Sequence, residues 1–101
     1  MATHLQLRVY EIQPGAVQQF ADEWQTHVAP LRRRLGFDVL GAWVGEADDT
    51  FAWLLGYEGD DFASADDAYY ASPERTSLDP DPARLVTRVV TTSLVRPVEL
   101  T

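Results

Sequence analysis

Residues 37–58 read FDVLGAWVGEADDTFAWLLGYE. Two strands are written there, 37–46 and 50–58, joined by a turn at Ala47-Asp48-Asp49. Alternate positions of a strand fall on opposite sheet faces. On the first strand Phe37, Val39, Gly41 and Trp43 share one face, and Leu40, Ala42 and Val44 the other. On the second, Phe51, Trp53, Leu55 and Tyr57 share a face, and the opposite face is no more polar. A strand pair that is apolar on both sides has to be covered twice. Helices supply one cover, and a partner subunit is the candidate for the other. Because both faces are apolar, the pattern leaves open which meets which.

The flanking segments complete the pattern. Upstream, residues 4–13 alternate as a strand, with Leu5, Leu7 and Val9 on one side and Gln6, Arg8, Tyr10 and Ile12 on the other. Pro14-Gly15 ends it. Val17, Phe20, Trp24, Val28, Leu31 and Leu35 then form the apolar stripe of an amphipathic helix over 16–35. Pro30 inside this helix predicts a kink or break near His27-Val28-Ala29. Arg32, Arg33 and Arg34 suit the last turn, where cations complement the helix dipole and pair with surface acids, and Gly36 is the stop.

Downstream, a shorter helix is expected over 59–72, capped by Asp60 or Asp61, with Phe62, Ala65 and Tyr69 inward. Residues 73–83 contain three prolines and no periodicity, which reads as a loop acting as a lid or an arm. The Val- and Thr-rich residues 84–96 make the last strand. The order β-α-β-β-α-β predicts an α+β, ferredoxin-like fold with a four-stranded antiparallel sheet.

Composition narrows the chemistry. The chain has 101 residues, which suggests one domain over 1–101. It contains no Cys and no Lys: all eight basic residues are Arg, and there are two His. Thiolate nucleophiles, Schiff bases, thiolate metal sites and a three-histidine metal centre within one chain are excluded. The net charge of −8 disfavours nucleic acid and anionic membrane surfaces as partners. No apolar run approaches the ~18 residues of a membrane span, and the first residues show no signal-peptide pattern, so a cytoplasmic location is expected. Paired acids such as Asp48-Asp49 and Asp60-Asp61 fit a turn and a helix cap. None has the spacing of a calcium loop, so no metal and no cofactor is expected. A domain of this size, carrying three Trp, four Tyr and four Phe, has little interior for them, which again favours self-association.

Several of these segments carry a resemblance. They are Leu7-Arg8-Val9-Tyr10 running into Pro14-Gly15; Phe20 and Trp24; His27-Val28-Ala29-Pro30-Leu31-Arg32; Gly36-Phe37; Gly41-Ala42-Trp43; and Trp53-Leu54-Leu55-Gly56-Tyr57-Glu58. In order and spacing the chain resembles the NIPSNAP type of the dimeric α/β-barrel superfamily. The resemblance implies a homodimer whose two sheets form a barrel with the helices outside. The superfamily includes cofactor-free monooxygenases acting on aromatic polyketides, small isomerases and haem-degrading enzymes. The NIPSNAP branch is mostly without a defined activity, so fold analogy does not assign a reaction.

Candidate chemistry rests on few residues. His27, at the edge of the helix stripe and one turn after Glu23, is the candidate acid/base. Arg8 and Tyr10 share a strand face, where Arg8 suits a carboxylate or enolate and Tyr10 a developing oxyanion. Trp43, Trp53, Tyr57 and Tyr69 are candidate walls for a flat apolar ligand, against the plainer reading that such aromatics are simply core. The expected function is binding of a small apolar or aromatic metabolite, with cofactor-independent isomerisation, cyclisation or oxygenation as the catalytic version. The alternative is a non-catalytic dimeric binding or interaction module.

Overall fold

The structure is a computed structural model and describes residues 4–100. Four strands, β1 (His4–Ile12), β2 (Phe37–Gly45), β3 (Thr50–Tyr57) and β4 (Val86–Leu94), form one sheet in the order β2-β3-β1-β4. Every neighbouring pair is antiparallel. This is the expected ferredoxin-like α+β arrangement, with β3 inserted between β1 and β2.

The first helical segment is α1 (Val17–Glu23), a π-helical turn (Trp24–Val28) and α2 (Ala29–Arg34) in continuous succession. Pro30 is the physical reason for the wide turn. Its ring would meet the carbonyl four residues back and it has no N–H to donate, so the backbone opens to i→i+5 spacing just before it. Gly36, at φ +97°, ends the helix in a conformation that costs a side-chain-bearing residue dearly.

The second helical segment is α3 (Phe62–Ala71), capped by Asp61, whose carboxylate accepts from the Ser64 N–H at 3.0 Å. The Pro-rich stretch is more structured than its composition suggests. Ser72 is extended ahead of Pro73 and accepts from the Arg75 N–H at 3.2 Å, which starts a short helix α4 (Pro73–Thr76). A 3₁₀ turn at Pro82–Leu85 then leads into β4.

Both helical segments lie on one sheet face. The core there joins Phe20, Trp24, Val28, Ala29 and Leu31 to Phe51, Trp53 and Leu55, with Phe37 and Tyr69 at its far end. Register settles the choice of face. Trp53 pairs with Arg8 on one side and Ala42 on the other, so Arg8, Tyr10, Trp53 and Ala42 face the helices. The more apolar side of β1, with Leu5, Leu7 and Val9, faces away and is half-buried at most. A bulge in β2 between Val39 and Gly41 changes the expected phase. Phe37 and Val39 face the helices, but past the bulge Ala42 does so and Trp43 turns to the open face, 58% exposed. There its ring lies over Gly41, where an added Cβ would stand 2.8 Å from the indole.

Candidate functional site

A cavity of about 260 Å³ lies between helices and sheet. Tyr10 and Trp53 contribute from the sheet centre, Val86 and Val89 from β4, and Phe20, Trp24, Val28 and Arg32 from the first helical segment. Tyr69, Tyr70 and Arg75 come from α3 and α4, and Pro82 and Ala83 from the 3₁₀ turn, so the Pro-rich segment roofs the space. The lining is one aromatic network. Trp24 and Trp53 meet at 5.4 Å between centroids, Tyr10 and Phe20 at 5.7 Å, and Tyr69 and Tyr70 at 5.1 Å, all edge-to-face.

A buried charge cluster supports one end. Arg32 is 1% exposed and Arg8 5% exposed. Both donate to the same oxygen, Asp66 Oδ1, at 2.7 Å and 3.1 Å respectively. Arg8 is otherwise occupied, with Nε and Nη2 donating to Gln6 Oε1 and Nη1 to the Tyr70 hydroxyl at 3.2 Å. Burial is the largest single influence on Arg8 and opposes its charge, but the Asp66 carboxylate and the Tyr10 and Tyr70 phenols together outweigh it, and the guanidinium holds its proton more tightly than usual. Arg32 sits on the Tyr69 ring, 3.6 Å from its centroid, and 4.7 Å from that of Phe37.

Buried donors remain without partners. Trp24 Nε1, Arg32 Nε and the Tyr69 hydroxyl are fully enclosed and make no hydrogen bond. Trp53 Nε1 is likewise enclosed and makes no hydrogen bond. Burial pushes the Tyr10 and Tyr69 phenols up, with the neighbouring guanidiniums pulling the other way. Both are therefore neutral donors at physiological pH.

The same shifts predict alkaline sensitivity. Above about pH 10, where a free phenol ionises, the folded chain retains protons the unfolded chain gives up. The stabilising contribution is complete below that pH and is lost as pH rises through the folded values. The urea midpoint should fall on moving from about pH 8 to about pH 11, and fall less in a Tyr10→Phe/Tyr69→Phe variant. Equal slopes in the two proteins would contradict this account.

Comparison with known proteins assigns the fold a family. The NIPSNAP family model matches residues 5–99. The chain belongs to the NIPSNAP family. Among solved structures it is similar to an uncharacterized NIPSNAP domain protein from Burkholderia xenovorans, at 17% identity and TM-score 0.79, covering 97% of this chain and 98% of that one. It is also similar to a NIPSNAP family protein from Agrobacterium tumefaciens, at 15% identity and TM-score 0.81, covering 93% and 92%. A structure described as an antibiotic biosynthesis monooxygenase aligns at 15% identity and TM-score 0.64, covering 95% and 99%. At these identities the likeness concerns the fold alone. No curated protein matches.

Within this NIPSNAP chain the expected site residues separate. Tyr10, Trp53 and Tyr69 meet in the cavity, and Arg8 lies beside it, 5.7 Å from the Trp53 ring centroid. His27 is not brought to them. The wide turn directs both Val28 and Ala29 inward and leaves Gln25, Thr26 and His27 exposed. Glu23, one turn before His27, holds Arg84 in a two-pronged pair at 2.7 and 2.9 Å. Trp43 is on the opposite sheet face. The Tyr57 ring lies tilted against that of Phe37, with centroids 5.2 Å apart, away from the cavity. Arg32, expected among surface cations at the helix end, is instead a buried lining residue. Its signal was present: it stands four residues after Val28 and eight after Trp24, on the apolar stripe. Arg75 had no comparable signal, since it sits in an aperiodic segment.

Among the described residues no helix is long and apolar enough to cross a membrane. No group of three or more His, Asp or Glu among them is arranged to hold a metal ion.

Proposed function

We propose that this NIPSNAP protein binds a small, largely apolar or aromatic metabolite in the cavity between helices and sheet, and that it does so as a homodimer. The aromatic cavity, with enclosed donors that have no partner inside the protein, carries this reading. Native proteins seldom leave such groups unsatisfied unless water or a ligand completes them. An apolar cavity of about 150 Å³ accommodates benzene, so the larger space here suits about two fused rings.

The lining favours a binding module over an enzyme. Its ionisable groups are phenols and guanidiniums, which stabilise negative charge but take up no proton near neutral pH. His27, the side chain best suited to that task, is exposed outside the cavity. In the catalytic alternative, cofactor-independent turnover, Tyr10 would stabilise charge while the substrate supplied its own reactivity.

Calorimetric titration with 2-naphthol tests the binding reading. Saturable, one-to-one binding per chain is expected, abolished by Ala83→Trp, which places an indole at the exposed rim. Absence of binding, or binding unaffected by Ala83→Trp, would count against the cavity. His27→Ala should leave the affinity within about twofold, because an exposed side chain outside the site contributes little.

A further inference from the structure

We infer that the cavity selects an aromatic monoanion, its rings between Trp24 and Trp53 and its charged group at the Arg32–Arg75 end. The inference rests on the binding reading above and adds the charge of the ligand. Two of the lining residues are arginines and none is acidic, in a chain whose net charge is −8. The surrounding balance is also positive. Arg8 and Arg32 share one carboxylate, Asp66, and Arg75 faces Asp81 at 3.2 Å. Three cations thus face two anions, leaving one positive charge at a site that is mostly removed from water.

Both lining cations pack against one ring. The Arg32 and Arg75 guanidinium carbons lie 5.2 and 5.6 Å from the centroid of the Tyr70 ring. The enclosed atoms lacking partners among these side chains, Arg32 Nε and the Tyr69 hydroxyl, can both donate. A carboxylate or phenolate accepts from such donors and neutralises the surplus charge. An ammonium ligand would add to that charge and find no carboxylate in the lining. The opposite end, around Phe20 and Trp24, offers only ring surface and one indole N–H, which suits the uncharged part of the molecule.

A matched ligand series tests the assignment: 2-naphthoate, its neutral amide and 2-naphthylmethylammonium, each titrated calorimetrically at neutral pH and equal ionic strength. Naphthoate should bind at least about tenfold more tightly than the amide, and the amine should show no binding. Arg75→Gln, chosen because Arg32 is too deeply buried to replace safely, should weaken naphthoate about tenfold and leave the amide within about twofold. Equal affinity of acid and amide, or preference for the amine, overturns the anion assignment while the cavity reading stands. Failure of all three, together with 2-naphthol, overturns both.

Discussion

Asp66→Ala should destabilise the folded chain by about 3 kcal/mol or more, a fall in Tm of roughly 12 °C or more for a domain of this size. Asp66 is a partly exposed carboxylate on α3, and surface acids usually matter little. Here its one oxygen answers two guanidiniums that have almost no access to water. Removing it leaves both cations buried and mutually repelling. The cost is the desolvation of unpaired charge rather than the loss of two hydrogen bonds. Asp66→Asn keeps the shape and one acceptor but not the charge, and should be only slightly milder. Arg88→Ala, which deletes the exposed pair with Glu11, is the control and should leave the urea midpoint unchanged. If Asp66→Ala proves no more disruptive than Arg88→Ala, the two arginines are not held as described.

The cluster also shows where the sequence stops being informative. Strands, helices and their order are legible because each rests on a local pattern: the alternation of β1, the short apolar runs of β2 and β3 around an acidic turn, the Phe20–Trp24–Val28 stripe, and the glycine after α2. The choice of sheet face is not local. On pattern alone, the Leu5, Leu7 and Val9 side of β1 is the better candidate for the core. The side bearing Arg8 goes inward because Asp66, 58 residues further on, arrives with α3 to meet its charge. Two phase changes hide the rest. The bulge in β2 moves Trp43 to the open face, and the wide turn before Pro30 leaves His27 outside. The bulge reverses the facing of the residues after it in β2, while the wide turn widens the inward face of the helix, so that Val28 and Ala29, then Leu31 and Arg32, are all buried. Strict periods of two and 3.6 therefore place the elements correctly and misplace particular side chains within them.

Substituting Asp for both Trp43 and Val90 should convert a dimer into a folded monomer, detectable by sedimentation. The sheet face opposite the helices carries Leu5, Leu7, Val9, Trp43, Ala52, Leu54, Val90 and Leu94, drawn from all four strands. Trp43 and Val90 are 58% and 44% exposed. A contiguous apolar surface of this kind is characteristic of an interface, and burying it against a second copy is the economical solution for so short a chain. The two side chains contribute little to the chain's own core, so charging them should spare the fold while placing four carboxylates in a symmetric pair of faces. Far-ultraviolet circular dichroism would confirm that the variant remains folded. The wild-type chain should sediment at twice its monomer mass at micromolar concentration; a wild-type monomer there, or a variant that stays dimeric, would show that this face is not the one that pairs. The cavity lies on the helix side of the sheet, away from this face. Naphthoate binding by the monomeric variant should therefore persist within a few-fold of wild type, which separates assembly from recognition.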